Sequence, residues 1–221
     1  MFTKVLVAED HESSNFSVYK VLEESGICLV DQVYYCDDAL DSVKKSVSTG
    51  NPYQLLITDL SFEVDHRKQL IKDGRELIRC CKDIDQNLKV IVFSGEGRAG
   101  IIDMLFKDFG INGYVKKARS DSKELKTAIQ AVFSGEEYLS HDLKLPVKSM
   151  NTLEFSNYDL MVLQLLAQGV LQKNIPAVFH QRGVCPNSLS SIEKRINNLK
   201  ELLVVKSNEQ LIAKCKDLGI I

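Results

Sequence analysis

Two short runs in this chain are apolar from end to end, and each stops at carboxylates. Lys4-Val5-Leu6-Val7-Ala8 runs into Glu9-Asp10, and Leu55-Leu56-Ile57-Thr58 runs into Asp59. Runs this short, without alternation, read as strands of a parallel sheet buried on both faces. Such sheets bind ligands at the carboxyl ends of their strands. Three carboxylates gathered there repel one another, and a small hard divalent cation relieves the repulsion. Mg²⁺ suits one or two carboxylates supplemented by water and a phosphoryl oxygen. The pattern therefore points to chemistry on an aspartate.

Two further runs follow. Lys89-Val90-Ile91-Val92-Phe93 ends in Ser94-Gly95, and Gly113-Tyr114-Val115 leads into Lys116-Lys117. Helical patterns separate the runs, with breakers at Gly26, Gly50-Asn51-Pro52, Gly110 and Gly135. Alternating strands and helices predict a doubly wound α/β domain. A helix N-terminus would by itself explain Glu9 and Asp10, and a half-buried strand tyrosine would by itself explain Tyr114. Four strand ends that together deliver an acidic pair, an aspartate, a hydroxyl and a lysine favour one shared site.

This order of residues resembles the receiver domain of bacterial two-component response regulators, over roughly Met1 to Leu139. The resemblance implies a flavodoxin-like, five-stranded parallel sheet over 1–140. It also implies Mg²⁺ held by Glu9, Asp10, Asp59 and the Ser61 carbonyl, and a phosphoryl group accepted by Asp59 from a sensor histidine kinase. Ser94 and Lys117 would contact the phosphoryl oxygens, with Lys117 preferred over Lys116 because it lies four residues after Gly113. Tyr114 would be the aromatic switch, turning inward as Ser94 and Lys117 close. The sequence departs from the family over Ser61–Lys72. Glu63 stands where a proline is usual, and the Asp-Gly pair arrives late, at Asp73-Gly74. An insertion beside a site gates it, binds a partner, or is a solvated excursion.

Residues 141–152, with Pro146, lack periodicity and read as a linker. From 153 to 221 the pattern gives four short helices with tight connections, a small all-α helix-turn-helix module. Leu163-Gln164-Leu165-Leu166-Ala167-Gln168-Gly169, and then Ser191-Ile192, Arg195, Leu199 and Leu203, resemble the LuxR-type DNA-binding domain. The whole chain then looks like a NarL/FixJ-type regulator, expected to bind duplex DNA as a homodimer on phosphorylation. Lys194 and Asn197 are the base-edge candidates, and Arg195 and Lys200 the phosphate candidates. Ile192, Ile196, Leu199, Leu202 and Leu203 form the expected core face, and Leu211, Ile212 and Cys215 either core or a dimer seam. Three departures stand out: Pro176 in the scaffold helix, the long turn Gln181–Asn187, and Glu193 where a basic residue is common.

Charge and cysteine content narrow the classes. Residues 1–140 carry 18 basic and 23 acidic side chains, and residues 151–221 carry 8 and 6, so the C-terminal part is only mildly basic. That permits nucleic-acid binding without demanding it, and keeps open an output domain that binds protein instead. Six cysteines without Cys-x-x-Cys spacing, and four scattered histidines, predict free thiols in a reducing cytoplasm and no zinc site. The chain starts directly on a strand, with no expected signal peptide and no membrane span. A dehalogenase-type phosphatase would need an acid two residues after Asp59, where Ser61 stands, so no turnover enzyme is expected.

Overall fold

The computed structural model describes residues 1–144 and 155–221. They divide into two compact units, an α/β unit of Met1–Gly97 and Met104–Lys144 and a helical unit that holds Arg98–Asp103 and the C-terminal helices. Among the described residues, no helix is long and apolar enough to cross a membrane.

From Lys4 to Leu139 the chain runs β1 (Lys4–Ala8), α1 (Glu12–Glu24), β2 (Leu29–Val33), α2 (Cys36–Ser48), β3 (Leu55–Thr58), α3 (Gly74–Ile84), β4 (Lys89–Ser94), α4 (Ala99–Phe109), β5 (Gly113–Lys116), α5 (Asp121–Phe133) and β6 (Tyr138–Leu139). All pairings are parallel, in the order β2-β1-β3-β4-β5-β6. The sheet thus has six strands where five were expected. The sixth is two residues long, beneath what hydrophobic patterning can register, and it extends β5 through Gly113↔Tyr138 and Tyr114↔Leu139.

Alternate strand residues point to opposite faces. Val5, Val7, Leu55, Ile57, Ile91, Phe93 and Val115 pack with Val18, Val21 and Leu22 of α1 and Leu125, Ala128, Ile129 and Val132 of α5. The other set, including Leu6, Leu56, Val90, Val92 and Tyr114, is equally buried. Burial on both faces is why these strands lack alternation. β2 is an edge strand, and its Leu29, Asp31 and Gln32 are not buried.

The strand order reverses direction between β1 and β3, and the crevice at such a switch point is where open α/β sheets bind ligands. Register brings the four strand ends to one edge, with Ser94 one residue and Lys117 two residues beyond the level of Glu9 and Asp59. The ladder pairs Ala8 with Thr58 and Ser94 with Lys116. It continues one residue further, since the Asp59 amide donates to the Ala8 carbonyl at 3.1 Å and the Lys117 amide to the Ser94 carbonyl at 2.9 Å. Helix α3 begins against this edge. A Cβ at Gly74 would lie 1.9 Å from the Asp59 carbonyl oxygen, so only glycine admits the approach.

The helical unit contains α6 (Asn157–Ala167), α7 (Ile175–Gln181), α8 (Leu189–Leu202) and α9 (Asn208–Asp217), with a 3₁₀ turn Gln172–Asn174 before α7. Ser156, Ser188 and Ser207 cap α6, α8 and α9, and α6 has a full capping box with Asp159. Pro176 does not interrupt a helix. The 3₁₀ turn takes up the preceding residues and α7 starts at Ile175, so the proline sits in the first turn, where its missing N–H costs nothing. The long turn before α8 is closed onto α6 by the Tyr158 hydroxyl, which donates to the Pro186 carbonyl at 2.8 Å.

Val162, Leu163, Phe179, Ile192, Ile196, Leu199, Leu203, Leu211 and Cys215 form one core. Leu211 and Cys215 are therefore interior positions. Leu202 departs from expectation: it is 45% exposed, because the buried stripe of α8 passes through Leu199 to Leu203 and leaves its neighbour outside. Of the expected linker, His141–Leu143 is a 3₁₀ turn, and 145–152, with Pro146, lies outside the described residues.

Candidate functional site

The strand ends converge on a surface depression of about 400 Å³, lined by His11, Asp59, Ser61, Ser94 and Lys117 among others. Lys117 is its electrostatic centre. Its ammonium lies 2.6 Å from Asp59 Oδ2 and 2.8 Å from Glu9 Oε2. Glu9 and Asp59 are both buried. Glu9 Oε2 has the Lys117 charge beside it but no well-angled hydrogen bond, while Oε1 accepts one from Lys117 at 3.0 Å. Asp59 Oδ1 is turned to the backbone and accepts from the amides of Leu60 at 2.6 Å and Ser61 at 3.4 Å. Lys116, by contrast, reaches Asp142 on the surface at 3.2 Å.

Burial raises the Glu9 carboxyl above the ordinary glutamate range, and the nearby Lys117 only partly opposes it. Burial also works against the Lys117 ammonium. The hydrogen bonds and charges of Asp59 and Glu9 together outweigh it and hold Lys117 more basic than a free lysine. Ser94 is buried at the end of β4. Tyr114 is fully buried, its hydroxyl donating to the Glu96 carbonyl at 2.7 Å, and burial raises its pKa. The expected inward turn therefore has no starting point in this conformation, where the ring is already inside.

Asp10 sits at the rim. Its Oδ1 is 2.9 Å from His11 Nδ1, and its Oδ2 accepts from the Glu63 amide at 2.6 Å. The Asp10 carboxylate raises the pKa of His11, chiefly through that hydrogen bond. Glu9, Asp10, His11 and Asp59 offer ligand atoms within 4.8 Å of one another. Three carboxylates with one resident ammonium leave a net charge of about −2, which a divalent cation would neutralise. The donors are hard oxygens, so the residues fit Mg²⁺. His11 was missed from the sequence because it adjoins the acids instead of showing separate ligand spacing.

In the helical unit, Lys194 and Asn197 are exposed and Lys200 half-exposed along α8, with Glu193 exposed beside them. Arg195 is placed differently. Its Nε and NH2 both bond the Asp159 carboxylate, the latter at 2.5 Å, and Asp159 is wholly buried. Burial would raise the Asp159 carboxyl, but Arg195 and Ser156 outweigh it and hold it below the usual range. The guanidinium expected to meet phosphate is thus engaged inside its own unit.

Comparison with known proteins agrees with this fold. No protein-family model matches the sequence. The chain is 26% identical over 227 residues to BvgA of Bordetella pertussis, a protein named as a positive transcription regulator of virulence factors, covering 99% of this chain and 97% of BvgA. The response regulator RcsB of Salmonella typhimurium superposes with a TM-score of 0.70 at 22% identity, over 97% of this chain and 99% of that one. This is the fold of a NarL/FixJ-type response regulator. An RcsB–DNA complex matches with a TM-score of 0.67 at 21% identity, over 99% of this chain and 100% of its own. A LuxR-family two-component regulator from Aurantimonas sp. SI85-9A1 matches with a TM-score of 0.59 at 19% identity, over 69% and 100%.

Proposed function

We propose that this chain is a phosphorylation-switched transcription regulator, built as a receiver over 1–140, a linker over 141–152 and a DNA-binding unit over 153–221. The observation that carries the reading is the Lys117 ammonium shared between two buried carboxylates, Asp59 and Glu9, at the switch point of a parallel sheet. A sensor histidine kinase is the phosphoryl donor. The P–N bond of its phosphohistidine breaks as Asp59 Oδ2 forms the new P–O bond, and the imidazole leaves.

Glu9, Asp10, Asp59 and the Ser61 carbonyl would hold Mg²⁺, which would supply charge neutralisation for the phosphoryl oxygens. Lys117 releases Asp59 Oδ2 and, with Ser94, binds the oxygens that arrive. Aspartyl phosphate adds a charge of about −1.5 to −2, and charge-assisted hydrogen bonds of this kind are the strong ones. Tyr114, anchored by the Glu96 carbonyl, carries the change at Ser94 toward the surface. Ser61 occupies the position at which a phosphatase would need an acid, so turnover is confined to slow phosphoryl loss from Asp59. Six unpaired cysteines support a reducing cytoplasm.

The phosphorylated homodimer binds duplex DNA through α8, with Lys194 and Asn197 at base edges and Lys200 at phosphate. The name of BvgA and the DNA-bound RcsB structures support this reading. Glu193 on the same helix and the engagement of Arg195 by Asp159 favour a second reading, in which the helical unit binds a protein. The test has two arms. Acetyl phosphate with Mg²⁺ should add one phosphoryl group by mass, lost in Asp59→Asn, and the phosphorylated protein should bind random duplex DNA with steep salt dependence. Full labelling of Asp59→Asn removes the receiver assignment. Absence of DNA binding at low salt transfers the output to the protein partner.

A further inference from the structure

The segment between β3 and α3 is longer than the fold requires, and it is tied down along its length. An antiparallel bridge between Ser61 and Asp73 closes its base. Arg67 forms a two-pronged ion pair with Asp38, at 2.8 Å from NH1 and 2.5 Å from NH2, and its guanidinium lies 4.4 Å over the Tyr35 ring. The Tyr35 hydroxyl donates to Asp65 at 2.7 Å. The Asp37 carboxylate accepts the amides of Leu70 at 2.8 Å and Ile71 at 2.9 Å, and Ile71 is buried. The socket is thus one short stretch, Tyr35 to Asp38, at the start of α2. From that anchorage the segment reaches the pocket at Ser61, whose amide donates to Asp59 Oδ1 at 3.4 Å, and at Glu63, whose amide donates to Asp10 Oδ2 at 2.6 Å.

A solvated excursion would not need this socket. Acids at a helix start favour the dipole, but Asp37 and Asp38 both direct their carboxylates to the loop. The Arg67–Asp38 fork also fixes direction as well as distance, which a lysine would not. We infer that residues 61–72 are a strap that positions Asp10 for its divalent cation, with Arg67 and Asp38 as the pin. This rests on the pocket being the metal and phosphoryl site proposed above. Carboxylates that ligate metals are themselves held by hydrogen bonds, and loss of such a partner costs roughly 10–100-fold in affinity. For Asp10 these partners are His11 Nδ1 on Oδ1 and the Glu63 amide on Oδ2, and the strap supplies the second. By linkage the coupling is mutual, so the bound cation tightens the strap as the strap orders the ligand.

The test is Mg²⁺ titration by calorimetry on the full chain, alongside amide hydrogen exchange over 61–72. Arg67→Ala and Asp38→Ala should each weaken Mg²⁺ binding by up to about 10-fold, the lower end of what losing such a partner outright costs, while leaving the thermal transition near that of the wild type. The exchanged pair Asp38→Arg with Arg67→Asp should recover most of the loss. In the wild type, Mg²⁺ should slow exchange at Glu63 and across the strap. Unchanged or tighter binding in both single variants overturns the inference, as does faster exchange on adding Mg²⁺, which would mean that the strap competes with the cation. A wild-type chain that binds no Mg²⁺ sinks the strap and the receiver reading together. Binding by the wild type that ignores the pin sinks the strap alone.

Discussion

Arg195 is where the sequence and the structure assign different work to one side chain, and a single substitution separates them. Its partner Asp159 is fully buried and holds the Ser156 amide at 2.8 Å and the Ser156 hydroxyl at 2.6 Å, besides both guanidinium bonds. Arg195→Ala removes two of those four donors and leaves a buried carboxylate short of its counter-charge. Breaking a buried pair from one side costs about 3–5 kcal/mol. The Arg195 side chain is 37% exposed, so water shares the load and the lower end, about 3 kcal/mol, is expected for the helical unit. For a domain of this size each kcal/mol moves Tm by roughly 4–8 °C. The pH dependence should also weaken. In the wild type the Asp159 carboxyl is held below its ordinary value, so its stabilisation is present above about pH 4 and is lost as pH falls through the folded value. In Arg195→Ala the two Ser156 bonds remain but the guanidinium is gone, so the carboxyl rises relative to the wild type and the stability lost on acidification should shrink. Urea unfolding at several pH values, read by amide exchange in α6 and α8, measures both effects. The salt dependence of binding to random duplex DNA should keep its slope. Wild-type stability combined with a slope about one unit flatter would refute this assignment and make Arg195 a phosphate contact.

Three further outcomes are expected. Lys117→Met removes the ammonium that now neutralises part of the pocket, so Mg²⁺ should bind at least about tenfold tighter, near 1.4 kcal/mol, by calorimetry; unchanged affinity would place Lys117 outside the field of the cation. Val204 closes α8 at φ 54°, 90% exposed, with no contact to justify a β-branched residue there. Val204→Gly should stabilise the unit by about 1 kcal/mol, the left-handed penalty of 1–2 less the entropy cost of glycine, and a fall in the urea midpoint would contradict the strain. Gly74→Ala must move either α3 or the Asp59 carbonyl, 1.9 Å from the new Cβ; it should cost about 1–3 kcal/mol and slow labelling by acetyl phosphate, and normal labelling would show that the edge yields freely.

The α/β pocket was legible because each of its parts is a local signal. Lys4–Ala8 and Leu55–Thr58 are buried on both faces, so their apolar runs are unbroken, and the residue after each run must emerge at the ligand edge. Parallel register then brings Glu9, Asp59, Ser94 and Lys117 to one edge of the sheet, the last two one and two residues further out. The resemblance added what patterning could not, the choice of Lys117 over Lys116. The misses have equally definite causes. Tyr138–Leu139 is too short for any period, and the position of Leu202 depends on the phase of α8, whose buried stripe runs through Ile192, Ile196, Leu199 and Leu203. Pro176 was read against a helix assumed to start earlier than Ile175.

What stayed hidden were pairings between distant residues of types that already have a local explanation. Asp37 and Asp38 follow the start of α2, where acids are expected, and nothing in the sequence announces that their partners lie some thirty residues on, in the strap. Asp159 completes a capping box, a sufficient reason for an acid at that place, which conceals its second duty to Arg195. Arg195 in turn lies on a helix with a basic face, where an arginine needs no explanation beyond solvent or phosphate. In each case the local role is real and the long-range role is added to it. Two duties on one carboxylate also make these positions poor places for substitution: removing Asp159 loses the cap and strands Arg195, and removing Asp38 loosens the strap that holds Asp10. The structure therefore concentrates its nonlocal organisation in acids that the sequence presents as ordinary helix starts.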